Sequence, residues 1–79
     1  METQEIELIA QKLALQNAYK YGKAPQAGAV MGKLLGTHPE LKAQAKELMP
    51  VINKVLADVG KMPPEDVREK LQSMAPELI

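Results

Sequence analysis

Glycine and proline cut this chain into helix-length pieces, and that punctuation limits the fold more than any other feature. Gly22 to Pro25, Gly36 to Pro39 and Gly60 to Pro64 each pair a helix stop with a helix start, and Pro76 closes the last piece. Glycine takes the left-handed conformation that ends a helix without penalty. Proline suits the first helical turn, where its missing N–H costs nothing. Between these joints the apolar residues recur at spacings of three and four, the period of a helix with a buried side. The 79 residues include no Cys, Phe or Trp. Neither a disulfide nor a cysteine–zinc site can staple such a chain, so stability rests on helices packed through Leu, Ile, Val, Met and Ala. A domain this short buries only roughly 60–65% of the surface its unfolded chain exposes. The expected fold is all-α, a small four-helix bundle forming one domain over residues 1–79.

The first helix is expected from about Gln4 to Tyr21, with Thr3 as N-cap and Gly22 as stop. Glu5 and Glu7 lie in its first turns, where carboxylates offset the positive end of the helix dipole. Ile6, Ile9, Ala10, Leu13, Asn17 and Tyr21 fall on one side, and Leu8, Leu15 and Tyr19 on the other. A helix with two apolar stripes either lies between neighbours or keeps one stripe for a partner. Asn17, set within the main stripe, needs hydrogen-bond partners if buried, most simply the backbone of the following turn.

The second helix is expected to open near Pro25 and to end before Gly36. Gly28, Gly32 and Gly36 lie four residues apart, so they line one side as a smooth strip. An interior glycine costs up to about 1 kcal/mol against alanine, and the strip therefore asks for a reason. The expected reason is close approach of another helix; close approach of a phosphate backbone is the alternative. Lys33, Gln26 and the short length exclude a membrane dimer motif. The Gly28–Lys33 spacing lacks the nucleotide-loop pattern and follows no strand.

Thr37-His38-Pro39-Glu40 reads as a capping box that opens a third helix. There Leu41, Ala45, Leu48, Ile52, Val55 and Val59 keep helical phase past Pro50. That predicts a third helix kinked or broken at Pro50 and ended by Gly60. Met62-Pro63-Pro64 is the linker. Pro64 opens the last helix, with Val67, Leu71 and Met74 on its inner face, and Ala75-Pro76 stops it. Glu77-Leu78-Ile79 resembles an interrupted continuation, and its apolar end suggests a longer natural chain.

His38, the sole histidine, is expected at the surface, without the nucleophile and orienting carboxylate that catalysis would need. The spacing offers no acid–base pair and no metal cluster. No apolar run approaches the roughly 20 residues of a membrane span. Met1 leads straight into Glu-rich sequence without a signal peptide, which suits the cytoplasm. Net charge is zero, yet the charges are segregated. Residues 1–7 carry three acids and no base, residues 8–39 four lysines and no acid, and residues 40–79 seven acids and six bases. The acid-free window suggests one mildly basic surface; ordinary solvated lysines are the other reading.

The residues ALQNAYKYGKAPQAGAVMGKLLGTHPEL, Ala14 to Leu41, resemble the region before the catalytic domain of archaeal-type glutamyl-tRNA synthetases. The shared pattern is ALQNA-x-K-[YF]-G, a Lys-Ala-(Asn)-Pro turn, a Val-x-Gly-Lys-[VL]-Leu-Gly helix and a Pro-Glu-Leu start. AKELMPVINKVLADV, Pro-Pro-Glu and MAPEL follow in the same order, less specifically. At Ala24-Pro25 the family more often has an extra Gly and an Asn, so the turn is shorter here. The Lys-Ala-x-Pro and Gly-Lys-hydrophobic arrangement is also similar to tail domains of tRNA-dependent amidotransferases and appended domains of glutaminyl-tRNA synthetases. Those helical modules touch tRNA outside the catalytic centre.

The resemblance implies an N-terminal accessory domain of a glutamate–tRNA ligase, with tRNA and the ligase's catalytic body as partners. The parent enzyme would join glutamate to tRNA using ATP and Mg²⁺. Its His-x-Gly-His and Lys-x-Ser-Lys-type signatures are missing from this sequence, which implies no aminoacylation, no catalytic residue and no cofactor site in this fragment. Lys12, Lys20, Lys23 and Lys33 are the candidate phosphate contacts, and Asn17, Tyr19 and Gln26 the candidates for hydrogen bonds or stacking. The alternative is a protein-docking module in which Leu8, Leu15 and Tyr19 meet the synthetase body or another translation protein.

Overall fold

The computed structural model describes residues 2–78 of the chain. Four α-helices follow in order: α1 Thr3–Tyr21, α2 Ala27–Thr37, α3 Ala45–Gly60 and α4 Pro64–Met74. Short 3-10 segments lie at Pro39–Gln44 and Pro76–Leu78. The expected all-α bundle is thus found; Ile79, the end of the expected continuation, lies outside the described residues.

Proline sets most of the joints. Its ring clashes with the backbone of the preceding residue and pushes that residue out of the α region. His38 has φ −130° and ψ 74°, Pro63 has φ −63° and ψ 157°, and Ala75 has φ −151° and ψ 71°. Each precedes a proline, so α2 stops at Thr37, α4 opens at Pro64 and α4 stops at Met74. At the end of α1, Gly22 takes φ 79° and ψ 8°, and its N–H donates to the Ala18 carbonyl at 2.8 Å. Pro50 lies inside α3, whose ladder lacks the bond that an N–H there would give. The third helical segment has two pieces, and the change from 3-10 to α falls between Gln44 and Ala45.

Several expected boundaries move. Glu2, not Thr3, occupies the cap position of α1, and no side chain bonds there. α2 opens at Ala27, near Pro25 as expected, but it runs through Gly36 to Thr37. The capping box does not form. Thr37 remains the last residue of α2 because its hydroxyl donates to the Lys33 carbonyl at 2.9 Å, the back-bond common for threonine in a helix. His38 takes the cap position instead, its Nδ1 3.5 Å from a Glu40 carboxylate oxygen.

α1 is the axis on which the other helices pack. Its first half, through Ile6 and Ala10, meets Val30 and Leu34 of α2 and Leu48 and Ile52 of α3. Its second half, through Ala14 and Leu15, meets Val59 of α3 and Val67 and Leu71 of α4. Val55 and Leu56 pack against both clusters and join them. This answers the question of the two stripes. Leu15 is 0% exposed, sealed by α4, while Leu8 at 55% and Tyr19 at 43% face solvent. A buried leucine contributes roughly 1.5–3 kcal/mol, so Leu15 belongs to the fold and is removed from any docking surface. Tyr21, expected on the inner side, is 64% exposed, because it is the last residue of α1 and the inner stripe ends before it.

Candidate nucleic-acid interface

The turn between α1 and α2 positions the site. Asn17 Nδ2 donates to the Lys23 carbonyl at 2.9 Å, the bond to the following turn expected from its place in the stripe. It ties the backbone of Lys23 to α1, six residues upstream. Gln26 stands at the cap position of α2, where its carbonyl accepts from the N–H groups of Ala29 and Val30.

Lys12, Lys20, Lys23 and Lys33 are all exposed, but they do not form one row. Lys12, Gln16 and Lys20 follow at intervals of four along α1 and so share one face. The two lysines are about 12 Å apart along the helix axis. Lys33 borders the same region. It lines one depression with Leu13 and Asn17 and another with Ile9, Leu13 and His38. Lys12 lines a third with Leu8, Leu13 and Met74. Half-buried Leu13 is common to all three, so Lys12 and Lys33 flank it. Lys20 Nζ lies 5.5 Å from the centroid of the Tyr21 ring, within cation–π range.

Tyr19 and Lys23 lie elsewhere. They line a groove between the α1–α2 turn and α4, where Glu65, Arg68 and Glu69 join them. Arg68 is an exposed residue of α4. It follows Val67, which α4 buries against α1, and that packing alone brings it to a residue 45 positions earlier. No local pattern signals such a meeting. The candidates therefore divide: Lys12, Lys20 and Lys33 on the side of Leu13, Tyr19 and Lys23 on the side of α4, Asn17 engaged with the turn and Gln26 apart.

The glycine strip is not where a helix comes close. A Cβ built on Gly28, Gly32 or Gly36 meets nothing within 4 Å, and all three residues are exposed. α2 buries the opposite side, Val30, Met31 and Leu34. The outer side of α2 is consequently bare backbone, with Lys33 beside it.

The molecule is of the class of small helical modules that carry their distinctive polar groups outward on a cysteine-free aliphatic core. More particularly, the chain is similar along its whole length to a segment of archaeal glutamate–tRNA ligases. It is 65% identical over 79 residues to the glutamate–tRNA ligase of Methanocella arvoryzae, covering 100% of this chain and 14% of that protein. It is 51% identical over 77 residues to that of Methanothrix thermoacetophila, covering 98% of this chain and 14% of the relative. It is 44% identical over 73 residues to that of Pyrococcus horikoshii, covering 92% and 13%. The chain thus spans about one seventh of the length of these curated relatives. The resemblance seen in Ala14–Leu41 extends beyond that stretch, as expected. No family model matches the chain, and no solved structure gives a significant match.

Proposed function

We propose that this chain is an accessory domain preceding the catalytic domain of a glutamate–tRNA ligase, and that it aids tRNA binding in protein synthesis. ATP and Mg²⁺ would serve the catalytic domain. The reading is carried by exposed Lys12, Lys20 and Lys33, which stand in a window with no acid, in a chain 65% identical to a segment of such a ligase. Each ammonium that meets a phosphate releases condensed counterions, so log affinity falls with log salt by about 0.9 per contact on a duplex. Three contacts give a slope of roughly −2.7. The bare outer side of α2 supports the same reading, since an RNA backbone can come close to a helix surface without side chains.

An amide chemical-shift titration with tRNA, repeated at rising salt, tests it. Shifts are expected at Leu13 and its surroundings, fading as salt rises, and Lys20→Glu or Lys33→Glu should each weaken binding. Binding that ignores salt, or that neither substitution weakens, refutes the reading. Leu8, 55% exposed beside half-buried Ile9 and Leu13, favours a second reading: docking on the ligase's catalytic body. Leu8→Asp should then leave the helices folded and abolish association with a separately prepared catalytic body. Undiminished association would rule that surface out.

A further inference from the structure

The groove between the α1–α2 turn and α4 has features that the tRNA reading leaves unused. It is an open groove of about 730 Å³, within the roughly 300–1,000 Å³ of ligand clefts. Ala18, Val59 and Met62 give it apolar walls, and Tyr19, 43% exposed, adds an aromatic side chain to the lining. Lys23 and Arg68 supply two cations, and Glu65 and Glu69 two carboxylates. Among the described residues no ion pair within 4.0 Å joins either cation to either carboxylate. All four side chains are exposed, so an occupant of the groove could reach each of them.

An occupant that complements this set carries an anion, a flat aromatic face and N–H donors. A duplex does not fit. Its bases are paired and stacked on one another and leave no free face for Tyr19. An unpaired nucleotide does. Its base has a free face for stacking, its exocyclic amino group donates to a carboxylate, and its phosphate takes the cations. A run of bare phosphates would leave the carboxylates repelled; an aliphatic peptide segment would leave the aromatic face unmatched.

We propose that this groove holds one unpaired nucleotide of the bound RNA, its base on Tyr19 and its phosphate at Lys23 and Arg68. The inference rests on the reading of this chain as an RNA-binding domain and adds a second contact, on the opposite side of the turn from Leu13.

The test compares a short single-stranded RNA with a blunt-ended duplex of the same sequence, each titrated into the 79-residue chain. The single strand should move the amides of Ala18, Gly22 and Val67, and the duplex only those near Leu13 and Lys33. Tyr19→Ala should weaken single-strand binding about tenfold, the effect of losing one stacked base, and Tyr19→Phe should preserve it. Arg68→Gln should reduce the salt slope by about 0.7, the value of one phosphate on a single strand. A groove that stays silent with the single strand, while tRNA still moves the Leu13 side, overturns the inference and leaves the tRNA reading intact. Silence everywhere with either RNA removes both. Shifts in the groove on adding the ligase's catalytic body, and not RNA, would reassign it as a protein contact and overturn the proposal.

Discussion

Gly32→Ala should stabilise the fold and weaken tRNA binding at once. Gly32 lies mid-helix in α2, and Gly22 is the glycine with positive φ, so alanine at 32 meets no backbone strain. Its methyl would find nothing within 4 Å. The gain comes from the unfolded chain, which has fewer conformations to lose, and from the lower helical preference of glycine; together these amount to about 1 kcal/mol. For a domain of this size that is a rise in Tm of roughly 4–8 °C. Urea unfolding should show a higher midpoint with an unchanged slope, the mark of a stability change without a change in exposed surface. Against tRNA the same methyl holds the RNA backbone away from the helix, and affinity should fall. Destabilisation would mean that the outer side of α2 is in contact with something within this fold, where Gly32 faces open space. Stabilisation without any loss of affinity would refute a binding role for the strip.

Further substitutions probe the joints and the core. Asn17→Ala removes the donor to the Lys23 carbonyl and should lower stability by about 0.5–1.5 kcal/mol in denaturant unfolding. Thr37→Ala should change stability by less than about 0.5 kcal/mol, because the hydroxyl back-bonds within α2; loss of a threonine cap would cost about 1 kcal/mol. Leu15→Asp places a carboxylate among Ala14, Val59 and Leu71 and should leave the chain without helical circular dichroism at room temperature. A folded Leu15→Asp protein would show that α4 does not cover α1 as described.

Local chemistry was legible in the sequence, and long-range placement was not. Gly22 and Pro64 mark real boundaries because a backbone conformation is decided by the residue itself. Asn17 was readable because its partner lies six residues away, within the same turn. Leu15 was ambiguous for the opposite reason. Its side of α1 is a second apolar stripe, and nothing nearby in sequence shows that α4, more than 45 residues later, covers it at Leu15. The capping box misled because the Thr37 hydroxyl donates back to the Lys33 carbonyl within α2, and no side chain caps the next segment. The glycine strip misled because a bare helix side looks the same in sequence whether it faces a neighbour or solvent.

The two surfaces on either side of α1 depend on one turn. α2 and α4 lie along different sides of α1: Val30 and Lys33 of α2 border Leu13 and Asn17, while Val67 and Met74 of α4 border Ala18 and Leu8. Lys33 arrives from α2 on the side of Leu13, and Arg68 arrives from α4 on the side of Tyr19. Asn17 lies between them, bordering the depression that holds Lys33 and bonding the backbone of Lys23 in the other groove. The Asn17 amide thereby ties the backbone of Lys23 to the helix that borders Lys33. Freeing the turn by Asn17→Ala should leave each helix intact yet shift amides on both flanks, at Ala24 and at Val30. A substitution confined to one flank, such as Lys33→Glu, should shift only its own. If Asn17→Ala disturbs the α4 groove alone, the two surfaces are independent and the turn does not couple them.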